Sequence, residues 1–264
     1  MTTVTGRLLA LGRAEAALLL RNRTALFTAL LMPPLMLAAL RPILDQQRAT
    51  SPGLDLHAAL VGGLAGIVLL FVVYYTLTAA YVGRRSELVL KRLRTGEARD
   101  GEILLGTAVP AVVLAVLQLA VLGAASTALL DLPAPVNPVL LLAGLVLALA
   151  LLIPLAALSS AFTRTVESAG LTTLPVLLVA QFGSGVLFPL ETMPDGLATV
   201  CRLLPTTPAL RLIRIGWFGG DGSVPATGFL GTWSAAAPAL LLAAAWALAA
   251  VWAAHRWFRW EPRR

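Results

Sequence analysis

Six windows of this chain hold no Asp, Glu, Lys or Arg: Thr24 to Leu40, Ala58 to Gly83, Ile103 to Leu130, Val139 to Thr163, Ser168 to Leu190, and one within Gly222 to Ala254 that starts near Gly231. An α-helix needs about 20 apolar residues to cross a hydrocarbon core of about 30 Å, so each window predicts a transmembrane helix. The first is short, and reaches Leu44 if Arg41 snorkels to the interface. In the last, Trp233 and Trp257 fall roughly 36 Å apart at helical rise, the spacing of two interfacial aromatic belts. Prolines at 33, 34, 110, 154 and 175 interrupt the spans and predict bends.

Composition agrees with the pattern. Hydrophobic residues make up 58% of the 264 and charged residues 12%, where a soluble domain carries about 25% charge. A polar skin cannot be built from so few charges, so much of the surface must face lipid, and disorder is excluded too. The single Cys201 and two histidines leave no disulfide framework and no metal site. Fifteen Lys and Arg lie in the N-terminal segment, the second and fourth connections and the C-terminal tail, against five in the alternate connections. Cytoplasmic loops retain positive charge, so both termini are expected inside the cell. Residues 1–23 have too short an apolar run for a signal peptide and read as a cytoplasmic or interfacial segment. The expectation is an all-α polytopic membrane protein, one permease-like unit over residues 1–264, without a repeat or linker to mark a second domain.

The connection from Arg84 to Glu102 holds ten charges in nineteen residues. It cannot enter the bilayer at about 2.5 to 3.5 kcal/mol per charge. Leu88, Leu90 and Leu93 are interleaved with the charges, which predicts a short surface helix with one apolar side. The pattern alone slightly favours the alternative, a solvated cytoplasmic loop held near anionic lipid by its arginines.

Within that connection, Leu90-Lys91-Arg92-Leu93-Arg94-Thr95, continuing to Glu102-Ile103-Leu104-Leu105-Gly106, resembles the loop between the second and third helices of type 2 ATP-binding-cassette (ABC-2) exporter permeases. Leu88-Val89 stand where that family tends to have Gly-Thr, and Gly96 where a proline is common. A second stretch, Ser184-Gly185-Val186-Leu187-Phe188-Pro189-Leu190-Glu191-Thr192-Met193-Pro194 with Leu204-Pro205-Thr206 beyond it, resembles the segment by which the family leaves its fifth helix. The resemblance implies a subunit that dimerises around a path and offers its 84–102 loop as a coupling helix to an ATP-hydrolysing partner. Glu87, Lys91, Arg92, Arg94 and Glu97 are then the coupling residues. It also implies that the second and fifth helices face the dimer axis, so that Tyr74, Tyr75, Gln181, Phe182 and Ser184 line the path. Residues 191–220, with Pro189, Pro194 and Pro205 at its bends, would fold as short helices dipping back from the outer surface. Interspersed leucines and arginines in that segment suit the idea, because re-entrant backbone is tolerated where it is buried in protein.

The chain has no engine of its own in sequence. A phosphate-cradling loop needs Gly-Lys followed by Ser or Thr, whereas the only lysine, Lys91, lies between Leu90 and Arg92. No enzymatic activity and no bound cofactor are therefore expected, with ATP and magnesium on a partner ATPase. An ion-driven carrier usually places Asp, Glu, His or Arg within its spans, and the window interiors carry only mild polar groups, Gln118, Ser159 and Ser160 among them. Gly183-Ser184-Gly185 with His255 superficially suggests an intramembrane hydrolase, but the two residues belong to opposite ends of their spans, on the order of 25 Å apart. A carrier that needs no ATP and a non-transporting scaffold or regulator remain the alternatives to an exporter subunit. A second copy or homologous permease, membrane lipid and a small hydrophobic substrate are the other partners implied, with no nucleic acid. The scarcity of lysine and wealth of alanine suit a GC-rich bacterial genome, hence a bacterial inner membrane and efflux of a hydrophobic drug, antibiotic or lipid-like compound.

Overall fold

The computed structural model describes residues 56–95, 99–186, 190, 193–220 and 228–261, with positions 31, 35, 37–39 and 42 besides. These residues form α1 (Leu56–Val68), a π-helical segment (Leu69–Tyr75), α2 (Thr76–Ser86), α3 (Val89–Arg94), α4 (Asp100–Leu130), α5 (Pro138–Phe162), α6 (Ala169–Gly183), α7 (Asp195–Arg202), α8 (Thr207–Phe218) and α9 (Phe229–Trp257). Among them there is no strand, and four helical runs are long and apolar enough to cross a membrane: Ala59–Ser86, Asp100–Leu130, Pro138–Phe162 and Phe229–Trp257. These are the second, third, fourth and sixth expected spans. The fifth differs: the window reads as apolar from Ser168 to Leu190, but the helix stops at Gly183 after 15 residues, about 22 Å of rise. Gly185 then takes φ 73, a left-handed conformation that glycine adopts without strain. The first span and the 1–23 segment lie outside the described residues, apart from single positions such as Leu37, which is fully buried with Val61, Leu64 and Leu122.

Local sequence sets the helix ends. At the start of α4 the Glu102 carboxylate accepts the backbone N–H of Arg99 at 3.1 Å, and Asp100 and Glu102 put negative charge at the positive end of the helix dipole. At the start of α5, Asn137 Oδ1 accepts the Leu140 N–H at 3.0 Å, and Pro138 occupies the first helical position, where its missing N–H costs nothing. The Asn137 amide also donates to Thr232 Oγ1 at 2.9 Å, tying α5 to α9. Pro110, Pro154 and Pro175 each sit inside a continuous helix.

Packing centres on α5, which meets α2, the π-helical segment, α8 and α9. The α9 face turned inward is a run of alanines, Ala236, Ala239, Ala243, Ala247, Ala250 and Ala254, while its large side chains Leu241, Leu248 and Trp252 are exposed. Between helices in lipid no water-driven gain comes from burying leucine, so small residues that let backbones approach closely take the interface. The α5–α8 seam follows the same rule. A Cβ at Gly216 would stand 2.5 Å from the Leu141 backbone nitrogen, and one at Gly144 would stand 2.9 Å from that of Ile213. These two contacts and their order along the chain run α8 antiparallel to α5.

Candidate coupling surface and transmembrane path

At the charged end of the bundle, α2 runs through Arg84 and Arg85 and stops at Ser86. The chain turns at Leu88, whose φ of 60 is left-handed, and α3 follows over six residues. Leu90 is fully buried and roots this short helix in the bundle, whereas Glu87, Lys91, Arg92 and Arg94 are exposed. Leu90, with Leu93 half-buried, therefore forms the apolar side of a surface helix as expected, whereas Leu88 lies before the helix and is exposed. Glu97 lies outside the described residues.

Two of the four cations and anions on this surface engage the chain's own neighbouring segments. Lys91 Nζ meets Glu261 Oε1 at 2.8 Å, and Arg94 Nε meets Asp100 Oδ1 at 3.1 Å with its guanidinium 4.9 Å from the Trp260 ring centroid. Side-chain exposures of 55% and 68% for the Lys91–Glu261 pair put it among surface pairs worth about 0 to 1 kcal/mol. Such contacts exchange readily for those of a protein partner.

Behind the surface helix lies Arg85, 1% exposed, which sequence reasoning left inside a loop. Its guanidinium donates to Ser160 O in the last turn of α5 at 2.8 Å and to the carbonyl of its C-cap residue, Thr163 O, at 2.5 Å. Ser160 O also accepts the Thr163 N–H at 3.1 Å, and both carbonyls stand at the negative end of the helix dipole, so a forked cation suits them. Arg84 donates to Thr107 Oγ1 of α4 at 3.1 Å. The signal was present in sequence as Tyr74, Thr78, Tyr81 and Arg85, a series at intervals of four, three and four residues that marks one helical face. All four are buried. Tyr74 OH pairs with Ser159 Oγ at 2.9 Å, Thr78 Oγ1 donates to Tyr74 O, and Tyr81 OH donates to Leu104 O.

The residues expected to line a path fall into two groups. Tyr74 and Ser184 are buried and satisfied within the protomer, Ser184 by the hydroxyl of Thr206. Tyr75 and Phe182 are exposed and Gln181 half-buried. Adjacent positions on a helix point to different sides, and in the π-helical segment Tyr74 faces α5 while Tyr75 stays on the surface beside Phe71, ring centroids 6.4 Å apart.

Between α6 and α9, residues 195–218 fold as two short helices. Pro194 precedes α7 and is exposed, Pro205 sits half-buried in the turn to α8, and Pro189 lies outside the described residues. That turn is fastened by Thr207 Oγ1 to Cys201 O at 2.6 Å and by Trp246 Nε1 to Leu203 O at 3.0 Å. Trp246 is seventeen residues into α9, so the turn reaches about 25 Å along that helix.

Among curated proteins none matches this chain. The family model for the ABC-2 type transporter matches residues 7–218. That family comprises membrane permease domains rather than catalytic ATPases, and the matched stretch includes the surface helix, the Arg85 clamp and both short helices. A multi-pass bundle of apolar helices with this match along most of its length belongs to the ABC-2 type transporter family.

Proposed function

We propose that this chain is the permease subunit of an exporter, that two copies enclose a path for a hydrophobic or amphiphilic compound, and that a separate ATPase drives it by pressing on residues 84–102. The single observation that carries the reading is the combination of α3 and Arg85. A six-residue helix presents Lys91, Arg92 and Arg94 outward, with Glu87 exposed in the turn before it, and one turn before the helix a buried arginine holds the end of α5. A push on α3 is thus delivered to the helix about which the bundle is packed, and bundles of tightly packed helices respond by moving as nearly rigid bodies.

In this reading both termini and the 84–102 surface are cytoplasmic, six helices cross the bacterial inner membrane, and the 195–218 hairpin re-enters from the outer side to about mid-depth. Tyr75, Gln181 and Phe182 face the second copy and the cargo, and Tyr74 and Ser184 stiffen the wall behind them. ATP and magnesium reside on the partner. Reversing the charge of Lys91, Arg92 and Arg94 together should uncouple ATP turnover from export without preventing membrane insertion. Unchanged export in that triple variant would remove the coupling role, and cargo movement by the purified chain alone, with nucleotide absent, would overturn the exporter reading as a whole.

A further inference from the structure

At the end of the bundle away from α3, a half-open cavity of about 400 Å³ lies between α1, α4, α5 and α8. Its volume is within the range of about 300 to 1,000 Å³ typical of small-molecule sites. Among the described residues its walls are apolar, Val61, Ala65, Leu119, Leu145 and Trp217 being representative, with only Thr127 and Arg214 to break the pattern. Gly62 makes room for the arginine stem: a Cβ there would stand 3.0 Å from Arg214 Cγ and 3.1 Å from its Cδ. The Nε of Arg214 is buried and has no hydrogen-bond partner.

A guanidinium never loses its charge, and a buried N–H without an acceptor is a destabilising arrangement that native structures seldom keep unless something else supplies the acceptor. Arg214 as a whole is half-buried; an anionic oxygen would answer both its charge and the open N–H, and the apolar walls suit a molecule that also carries an apolar body. Depth narrows the choice. Residues 213 and 216 lie beside 144 and 141 of α5, so Arg214 sits about 7 to 8 Å inside the start of a helix about 37 Å long. From that position its side chain reaches the level where a hydrocarbon core of about 30 Å meets the headgroups.

We propose that this cavity is a binding site for an anionic phospholipid of the surrounding bilayer, with the phosphate on the Arg214 guanidinium and an acyl chain along the wall that ends at Trp217. None of the residues proposed to meet cargo lines it, which favours a resident lipid over a compound in transit. Arginine suits the phosphate through paired N–H donors, and a membrane-level cation enriches anionic over zwitterionic lipid about fivefold. The site does not depend on the coupling role of residues 84–102.

Trp217 supplies the reporter. The full-length protein is reconstituted in vesicles of phosphatidylcholine and phosphatidylglycerol, one of the two carrying dibrominated acyl chains, and the Trp217 contribution is taken as the difference between the parent and Trp217→Phe. Brominated phosphatidylglycerol should quench that contribution more strongly than brominated phosphatidylcholine at equal mole fraction, as expected for about fivefold enrichment. Arg214→Gln should abolish the preference, and Arg214→Lys should keep part of it. Ala124→Leu, at a lining position that is exposed, narrows the cavity without touching the arginine and should weaken quenching by both lipids. Equal quenching in the parent, or a preference that survives Arg214→Gln, overturns the site. A preference abolished by millimolar inorganic phosphate overturns the lipid as its occupant.

Discussion

Replacing Arg85 by methionine should cost more than any other single change at the charged end of the bundle. Methionine fills most of the space of the stem, so the cavity contribution is small and the electrostatic one dominates. Two charged donors are removed, those to Ser160 O and Thr163 O. Hydrogen bonds to charged groups contribute about 1.5 to 3 kcal/mol each. The side chain is 1% exposed, so water cannot readily take its place, and a loss of about 3 kcal/mol is the lower end of what the geometry implies. Cys201, the single cysteine and a buried one, provides the assay, because a thiol-reactive fluorophore lights up only as the protein opens on heating. At about 2 to 4 °C per kcal/mol for a chain of this size the midpoint should fall by roughly 6 to 12 °C. Arg85→Lys should recover part of this, since one ammonium cannot fork across two carbonyls. A methionine variant that opens within a degree or two of the parent would refute the claim that Arg85 closes the end of α5.

The α5–α8 seam should be intolerant of side chains: Gly216→Val should unseat α8 at a cost of about 3 kcal/mol, given backbone atoms 2.5 Å from the new Cβ, and Cys201 should become reactive towards thiol reagents without heating. Leu88→Gly should change stability by less than about 1 kcal/mol, because relief of a left-handed φ offsets the entropy of glycine, whereas Leu88→Val should be clearly destabilising in the same thermal assay. Asn137→Ala removes both the cap of α5 and the bond to Thr232, and should cost about 1 to 2 kcal/mol. Glu261→Gln breaks an exposed ion pair and should shift the midpoint by no more than about 1 kcal/mol would; a larger shift would mean that the C-terminal tail holds α3 in place.

Four of the expected spans were legible because the absence of charge over more than twenty residues has almost no other explanation, and the boundaries at Leu130 and Phe162 fall within a residue of the ends of their windows. The fifth was only half legible. Apolar residues continue past Gly183 into Leu190, and hydropathy alone cannot distinguish a membrane helix from apolar chain buried inside protein. Surface residues of α3 could be read from alternation of Leu90 and Leu93 with cations. Arg85 could not be read the same way, because charge counts as solvent-facing in any hydropathy argument, and only the helical register from Tyr74 shows that it points inward. Tyr74 and Tyr75 are adjacent in sequence and identical in kind, and only the register with Thr78 and Tyr81 marks Tyr74 as the buried one. Leu88 was visible as a departure from its family before its cause was: among the described residues of this surface it holds the left-handed backbone position that a glycine would take without strain.

The two fastenings of α5 have a mechanical consequence. One end is gripped by Arg85 and the other is handed by Asn137 to α9, while the glycine seam leaves no slack for sliding against α8. A strut held at both tips transmits displacement without absorbing it. A displacement applied at the Arg85 end of α5 should therefore reappear at the Asn137 end with little loss, the helix acting as a lever rather than as a spring.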